Sequence, residues 1–572
     1  MGEKTVKYAK FDAVEFYDAE RPFKNHWKFP ELDTRQILYN KGHICKEGSR
    51  PLACDMIMDK DTPVKMRDGI TIYADVFRPT DESKKYPLIV CYSPYGKIDP
   101  PNFYPGYVNC ANIDMSKLTG LETMEGPQPD SIVINEYAVA IVDARGATNS
   151  EGDMMYYGYQ EGQDIYDTIE YLAQMDWCSG EVGMMGNSWL AICQYFAAAQ
   201  QPPHLKAIAP WEGLSDLLHD CMVRGGIPSP GFVLGINSMM RYNDKPENNG
   251  MIENAFAMTL KYPYENSYWM EEKRPAFDKI TVPAYFVASY DSNVHSYGTL
   301  RAWNKIASKE KWLRFHNTQE WTDQYSPHWR ADLFKFFDHY LKGQDNGWEN
   351  TPKVRLALFD TTGSDIVGQV EEDFPIPRTE YRKLYLNSAD QTMAEELPAE
   401  NAQVSYVAED GQGKEIRYRF KVTKEMQVAG YCRMKLYVSA DAGDDMEIFG
   451  YVTKEDQMQV EYNHPMLNVK HRGAEALLRV SCRKIKNDEI FDFYHEYKDP
   501  QKLTPGEIVE IETVFWPIGM VFHEGEYITF IISSKSLREI EFPTPPTHTI
   551  NKGNHTIYSG PDHPSYLEIP VI

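Results

Sequence analysis

Basic residues are scarce in this chain: 59 Lys and Arg stand against 84 Asp and Glu, a formal net charge of −25 over 572 residues. Nucleic acids and anionic membrane surfaces both demand clustered Lys and Arg, so neither is an expected partner. Long apolar runs are missing as well. The opening ten residues have no apolar core of signal-peptide length, and no later stretch approaches what a membrane-spanning helix needs, so the expected location is cytoplasmic. Val6 stands where a myristoylation signal would carry Ser or Thr. Cysteine is sparse: nine residues, an odd number, scattered from Cys45 to Cys482 without a Cys-x-x-Cys pair, argue against a disulfide framework, a zinc site or a dithiol redox motif. Internal repeats and low-complexity tracts are also lacking. What is present is an ordinary globular composition, 42% hydrophobic and 25% charged, in a chain too long for one core. Two or three domains acting on a small molecule or a short peptide are expected.

Residues 1–60 are mixed and rich in aromatics without periodicity, and read as an N-terminal extension wrapping a domain surface. From Val64 to Phe77 the pattern alternates across Asp68-Gly69, a hairpin signal. Buried strands follow at 87–92 and 137–143, a helix at 162–175 with Ile165, Ile169, Leu172 and Met175 on one face, a strand leading to the Ser188 turn, a helix, and strands at 205–210, 282–291 and 311–316. Such strand–helix alternation specifies a mostly parallel sheet covered on both faces, over 61–212 and 280–348. The intervening 213–279 is too long for a connection and reads as a helical cap over the carboxyl edge of the sheet. An amphipathic helix spans 331–341. Beyond Asn346-Gly347 short alternating segments separated by turns predict an all-β sandwich or jelly roll over 349–572.

Chemistry concentrates at Gly186-Asn187-Ser188, where strand, tight turn and helix succeed one another. A sharp strand-to-helix turn lifts a serine oxygen out of the backbone and aims the first helical N–H groups at a developing oxyanion. A nucleophilic serine needs a base and the base an orienting carboxylate, which in doubly wound hydrolases follow in the order acid, then histidine. Asp291 ends one strand at the carboxyl edge and His316 ends the next, in that order. His328 is an alternative base, His295 lies close after Asp291, and His339 falls within the amphipathic helix.

At these residues the chain resembles the X-prolyl dipeptidyl aminopeptidase and cocaine-esterase superfamily of serine hydrolases. The resemblance is carried by Met66-Arg67-Asp68-Gly69, Ser93-Pro94-Tyr95, Asp143-Ala144-Arg145-Gly146, Ser150-Glu151-Gly152, Gly186-Asn187-Ser188, Arg224-Gly225-Gly226, Tyr290-Asp291, Leu341-Lys342-Gly343 and the closing Pro564 to Pro570. It covers about residue 60 to the end and implies an α/β-hydrolase fold with a C-terminal jelly roll. It implies Ser188 as nucleophile, Asp291 as acid, and the Trp189 N–H with the Tyr95 hydroxyl as oxyanion hole. A phenol suits that role, since it stays protonated at neutral pH and donates one short hydrogen bond. Asp143 and Arg145 read as a structural pair near the site. The Gly-Pro-Trp-x-His segment usual in the family is replaced here by His316-Asn317-Thr318-Gln319-Glu320-Trp321, which leaves His316 a few residues early. His316 is nevertheless the expected base, because a residue leaving a core strand is held rigidly. Ester hydrolysis through an acyl-enzyme is the expected reaction, with no cofactor and no metal. The alternatives are release of X-Pro dipeptides, an amidase or acylase, and a non-catalytic ligand-binding protein on a hydrolase fold. A homo-oligomer is compatible with the sequence.

Overall fold

Buried apolar runs and the turns between them set the architecture. The computed structural model describes residues 31–97, 113–229, 235–237, 239–240, 251–290, 292, 294–360, 363–409, 414–462, 472–537 and 549–572, with the backbone alone of Lys4–Val6, Val14–Asp18, His464–Met466 and Val469–His471. Eleven strands form one sheet and are numbered along the chain: β1 Arg35–Tyr39, β2 Met56–Lys65, β3 Thr71–Arg78, β4 Tyr86–Ser93, β5 Ala138–Asp143, β6 Cys178–Asn187, β7 Leu205–Trp211, β8 Ala284–Ala288, β9 Lys311–Phe315, β10 Val354–Leu358 and β11 Ile366–Glu371. Across the sheet their order is β11-β10-β9-β8-β7-β6-β4-β5-β3-β2-β1. The central pairs from β5 through β10 are parallel, and both margins are antiparallel. β4 and β5 are buried along their whole length, as strands covered by helices on both faces must be.

Seven helices are named here: α1 Pro129–Val133, α2 Tyr159–Leu172, α3 Trp189–Ala199, α4 Ala255–Lys261, α5 Ser296–Lys305, α6 Glu320–Gln324 and α7 Pro327–Lys342. α3 is buried at every residue. Its close approach to α2 depends on Gly162, where a Cβ would lie 2.6 Å from the Phe196 carbonyl oxygen. α7 stops at Gly343, left-handed at φ 64°. No helix of the described residues is long and apolar enough to cross a membrane.

The sheet runs past both expected margins. β1 and the start of β2 belong to it, so residues 35–60 are not an external wrap; β1 is a largely exposed edge strand and carries no alternation to betray it. At the other margin β10 continues parallel to β9, and β11 folds back on β10, beyond the expected boundary at 349. β11 is half exposed, so its pattern looks like that of the sandwich strands that follow. The segment 213–279 is mixed, with short helical turns at Leu218–Met222, Tyr268–Glu272 and Phe277–Lys279 beside pieces of strand. It holds a two-residue hairpin at Val223–Arg224 and Ile227–Pro228, helix α4, and a strand Met251–Glu253 that pairs with Val14–Asp18 of the N-terminal arm.

The C-terminal part is all-β, with long antiparallel strands such as Met426–Ala440 against Val509–Phe522 and Tyr527–Ser533 against Glu415–Lys421. Several contacts join it to the α/β unit. Phe359 exchanges main-chain hydrogen bonds with Gly519 and Val521, each 2.9 Å, and a Cβ on Gly519 would meet the Tyr290 ring at 2.1 Å, so that ring packs directly on bare backbone. A buried ion cluster lies nearby. Arg301 of α5 pairs with Asp220 and, at 2.8 Å, with Asp492 of the β domain, and Lys305 also pairs with Asp492. Arg274 pairs with Asp216, whose carboxyl is held well below the usual range by Arg274, His219 and Arg301 against the opposing effect of burial.

Candidate active site

The Gly186-Asn187-Ser188 turn is tight because β6 must hand the chain directly to α3. Gly186 has φ 145° and a Cβ there would lie 2.4 Å from the Leu190 Cβ, so a side chain is excluded. Ser188 itself sits at φ 52°, ψ −115°, a conformation that costs a residue with a Cβ about 1–3 kcal/mol and that neighbours must enforce. They do so through the backbone. The Ser188 N–H donates to the Trp211 carbonyl at 3.1 Å, and the Ser188 carbonyl accepts from the N–H groups of Ala191 and Ile192, each at 2.9 Å. The hydroxyl is thus held at the head of α3, at the carboxyl edge of the sheet, in a residue only 5% exposed.

Trp189 and Tyr95, the two residues expected from the sequence to bind an oxyanion, meet here. The Trp189 N–H donates to Glu125 Oε2 at 3.2 Å, and the Trp189 indole is locked by a 2.7 Å hydrogen bond to Glu161. Tyr95 packs edge-on against the Trp189 ring, centroids 6.3 Å apart. Its loop is anchored two residues on, where buried Lys97 bridges Asp61 at 2.8 Å and Asp143 at 2.9 Å. Burial and the neighbouring Glu125 carboxyl push the Tyr95 phenol well above 10, so it is a donor throughout the neutral range. Asp143 and Arg145 do not pair with each other: Asp143 serves Lys97, while Arg145 forks onto Asp164 at 2.7 and 2.6 Å and reaches Asp68 at 2.8 Å.

The polar groups around Ser188 extend beyond the sequence-derived set. His316 leaves β9 as expected and is 1% exposed, but both ring nitrogens are engaged: Nδ1 lies 2.9 Å from the Thr318 carbonyl and Nε2 lies 2.7 Å from Glu212 Oε1. His328 is exposed in the first turn of α7, its ring stacked edge-on to Trp329 at 4.4 Å. Asp291 lies outside the described residues, between Tyr290 and Ser292. His295, just before α5, is buried with Nδ1 3.1 Å from the Ser292 hydroxyl and 3.5 Å from Glu320 Oε2. Despite burial, its imidazole is pushed up to about 9 by Glu320, Glu212 and Glu125.

Three glutamates complete the cluster. Glu212 follows β7, Glu320 opens α6, and Glu125 lies in the turn ahead of α1. Strand-end position would have flagged Glu212 in Trp211-Glu212-Gly213, by the same criterion that flagged Asp291 and His316. Glu320 was legible as the fifth position of the segment that begins at His316. Glu125 left no signal in the sequence, because its loop has no periodicity. Glu212, His295 and Glu320 each offer one donor atom within 4.8 Å of the others, a spacing that a divalent cation would also accept.

Both parts of the chain match known proteins. Residues 68–320 match the model of the X-Pro dipeptidyl-peptidase (S15) family, and residues 346–568 match the C-terminal non-catalytic domain of X-Pro dipeptidyl-peptidases. Cocaine esterase of Rhodococcus sp. (strain MB1 Bresler) is 23% identical over 89% of this chain and 97% of its own length. A putative serine esterase of Mycobacterium bovis is 20% identical over 89% of this chain and 94% of its own. Among solved structures, a CocE/NonD family hydrolase from Staphylococcus aureus superposes with a TM-score of 0.86 at 29% identity, covering 96% of this chain and 99% of that one. An α-amino acid ester hydrolase shares the fold, with a TM-score of 0.63 at 16% identity over 96% of this chain and 99% of that one. With a strained serine turn at the heart of an α/β-hydrolase sheet and matches to both domains, the chain belongs to the X-Pro dipeptidyl-peptidase and cocaine-esterase family of serine hydrolases.

Proposed function

We propose that this hydrolase cleaves carboxylic esters of small molecules through an acyl-enzyme on Ser188. The observation that carries the reading is the conformation of Ser188 itself, a strained residue at a strand-to-helix turn with an amide N–H and a buried phenol beside it. His295 is the base in this reading. Its Nδ1 faces the Glu320 carboxylate, which is the usual sense of the pairing and leaves Nε2 for the serine, whereas His316 spends both nitrogens on Glu212 and Thr318. His295 takes the proton of Ser188, the tetrahedral oxyanion is held by the Trp189 N–H and the Tyr95 hydroxyl, and the proton passes to the departing alcohol. Water then repeats the sequence on the acyl-enzyme.

A fluorophosphonate probe tests this directly: labelling of the wild-type protein and none of Ser188→Ala is expected, and an unlabelled wild-type protein removes the nucleophile. A second reading, cleavage of X-Pro dipeptides or other aminoacyl groups, draws support from one feature. Glu125, Glu212 and Glu320 are buried near Ser188 with no Lys or Arg paired to any of them among the described residues, a surrounding that suits a substrate ammonium. Turnover of p-nitrophenyl esters against X-Pro anilides decides between the two.

A further inference from the structure

Glu125 has no part in the hydrolysis set out above, yet it lies against the groups at its centre. Its main chain is fixed to the serine turn: at φ 65°, its carbonyl accepts from the Asn187 N–H at 3.0 Å and from Gln324 Nε2 of α6 at 3.2 Å. Its carboxyl is 3% exposed as part of the residue, and Oε2 accepts the Trp189 N–H at 3.2 Å. The side chains of Ser188 and Tyr95 also interact with this carboxyl. Those are the donors that would surround an acyl oxygen. The carboxyl therefore stands where the substrate carbonyl must go.

Its charge state follows from what faces it. From the serine turn come Ser188 and the Trp189 amide, from the loop after β4 Tyr95, from the segment ahead of α2 Tyr157, from the loop before α5 His295, and from α6 Glu320. No Lys or Arg pairs with Glu125 among the described residues, and His295 is already matched by Glu320 at 3.5 Å. Ionising Glu125 would add a second carboxylate to a buried site beside Glu320. Burial and Glu320 push the group up to about 8, against the opposing pull of His295, Ser188 and the Trp189 amide.

We propose that Glu125 is a catalytic residue of the oxyanion site: its neutral carboxyl holds the place of the substrate carbonyl in the resting enzyme and donates its O–H to the oxyanion when Ser188 attacks. This rests on Ser188 being the nucleophile. The substrate carbonyl takes over the Trp189 N–H, the carboxyl turns from acceptor to donor, and no proton leaves Glu125, since His295 accepts the one from Ser188. A carboxylic acid kept neutral by its surroundings is a strong donor to developing negative charge.

The productive form has Glu125 protonated and His295 unprotonated, so background-corrected p-nitrophenyl butyrate turnover by the wild-type enzyme should form a bell centred between about pH 8 and about pH 9. Glu125→Gln keeps an N–H donor but cannot ionise. It should lose about tenfold in kcat and hold a plateau on the alkaline side where the wild type falls tenfold per pH unit. Glu125→Ala should lose on the order of 10²–10³ in kcat with little change in KM. An Ala variant that turns over within threefold of wild type, or faster, overturns the proposal in favour of a mere occupant; so does an alkaline limb that persists in Glu125→Gln. If the Ala variant does not fold, the pH profile of the Gln variant carries the test alone. Fluorophosphonate labelling separates the two levels. A labelled wild type with kinetically silent Glu125 variants removes Glu125 and keeps Ser188, and an unlabelled wild type removes both.

Discussion

Two buried clusters of charge lie a short way apart and are built on opposite principles. At the junction with the β domain, Asp216, Asp220 and Asp492 face Arg274, Arg301 and Lys305, so each carboxylate meets a permanent cation. Around Ser188, no Lys or Arg pairs with Glu212, Glu320 or Glu125 among the described residues: Glu212 and Glu320 meet imidazoles, and Glu125 accepts the Trp189 amide and lies beside Glu320 and His295. Guanidinium partners keep carboxylates ionised across the physiological range and make a fixed joint. Neutral donors give Glu125 no such hold: burial and Glu320 push it up to about 8, while Glu320, Glu212 and Glu125 push His295 up to about 9, so both lie within reach of proton exchange at working pH. The difference separates a cluster that holds the molecule together from one that can move protons.

Substitutions that break each cluster should fail in different currencies. His295→Ala should lower kcat by roughly 10³–10⁴ while leaving the thermal midpoint nearly in place, measured by ester turnover and calorimetry on the same preparation. If turnover instead survives in His295→Ala and is lost in His316→Ala, the base is the histidine that ends β9. Arg301→Met, which strands Asp220 and Asp492 in the interior, should cost about 3–5 kcal/mol of stability, read by denaturant unfolding, with kcat unchanged in the folded fraction. Tyr95→Phe removes one oxyanion donor and should lower kcat on the order of 10²-fold with KM within a factor of two. His328→Ala, at an exposed position, should change neither quantity; a tenfold loss of turnover there would return that residue to the site.

Much of this was legible in the sequence because the relevant signals are local. A glycine at 186 two residues before a serine, with an apolar run ahead of it and a helix after it, marks the Ser188 turn, and Ser93-Pro94-Tyr95 locates the phenol that packs edge-on against Trp189. The parallel core of the sheet, though not its strand order, followed from strand–helix alternation. What escaped notice is what depends on meetings between distant segments. His316 stands at the end of its strand as the pattern required, yet its partner is Glu212, 104 residues earlier, and that contact takes up the nitrogen a serine would need. Glu125 reaches the Trp189 amide across 64 residues from a loop with no periodicity, so no window of sequence carries it. The half-exposed margins β1 and β11 were invisible for a related reason: strands that bury little apolar surface leave little pattern.

The bare backbone at Gly519 reaches further than packing. The Tyr290 ring lies between it and Phe315, stacked on the latter at 4.5 Å, and so the ends of β8 and β9 are gripped from the β domain side. Those strand ends feed the loop of His295 and the start of the His316 segment. The all-β part of the chain is therefore a splint for the loops around Ser188, and a protease that clipped it away should lower turnover without touching Ser188 or its neighbours.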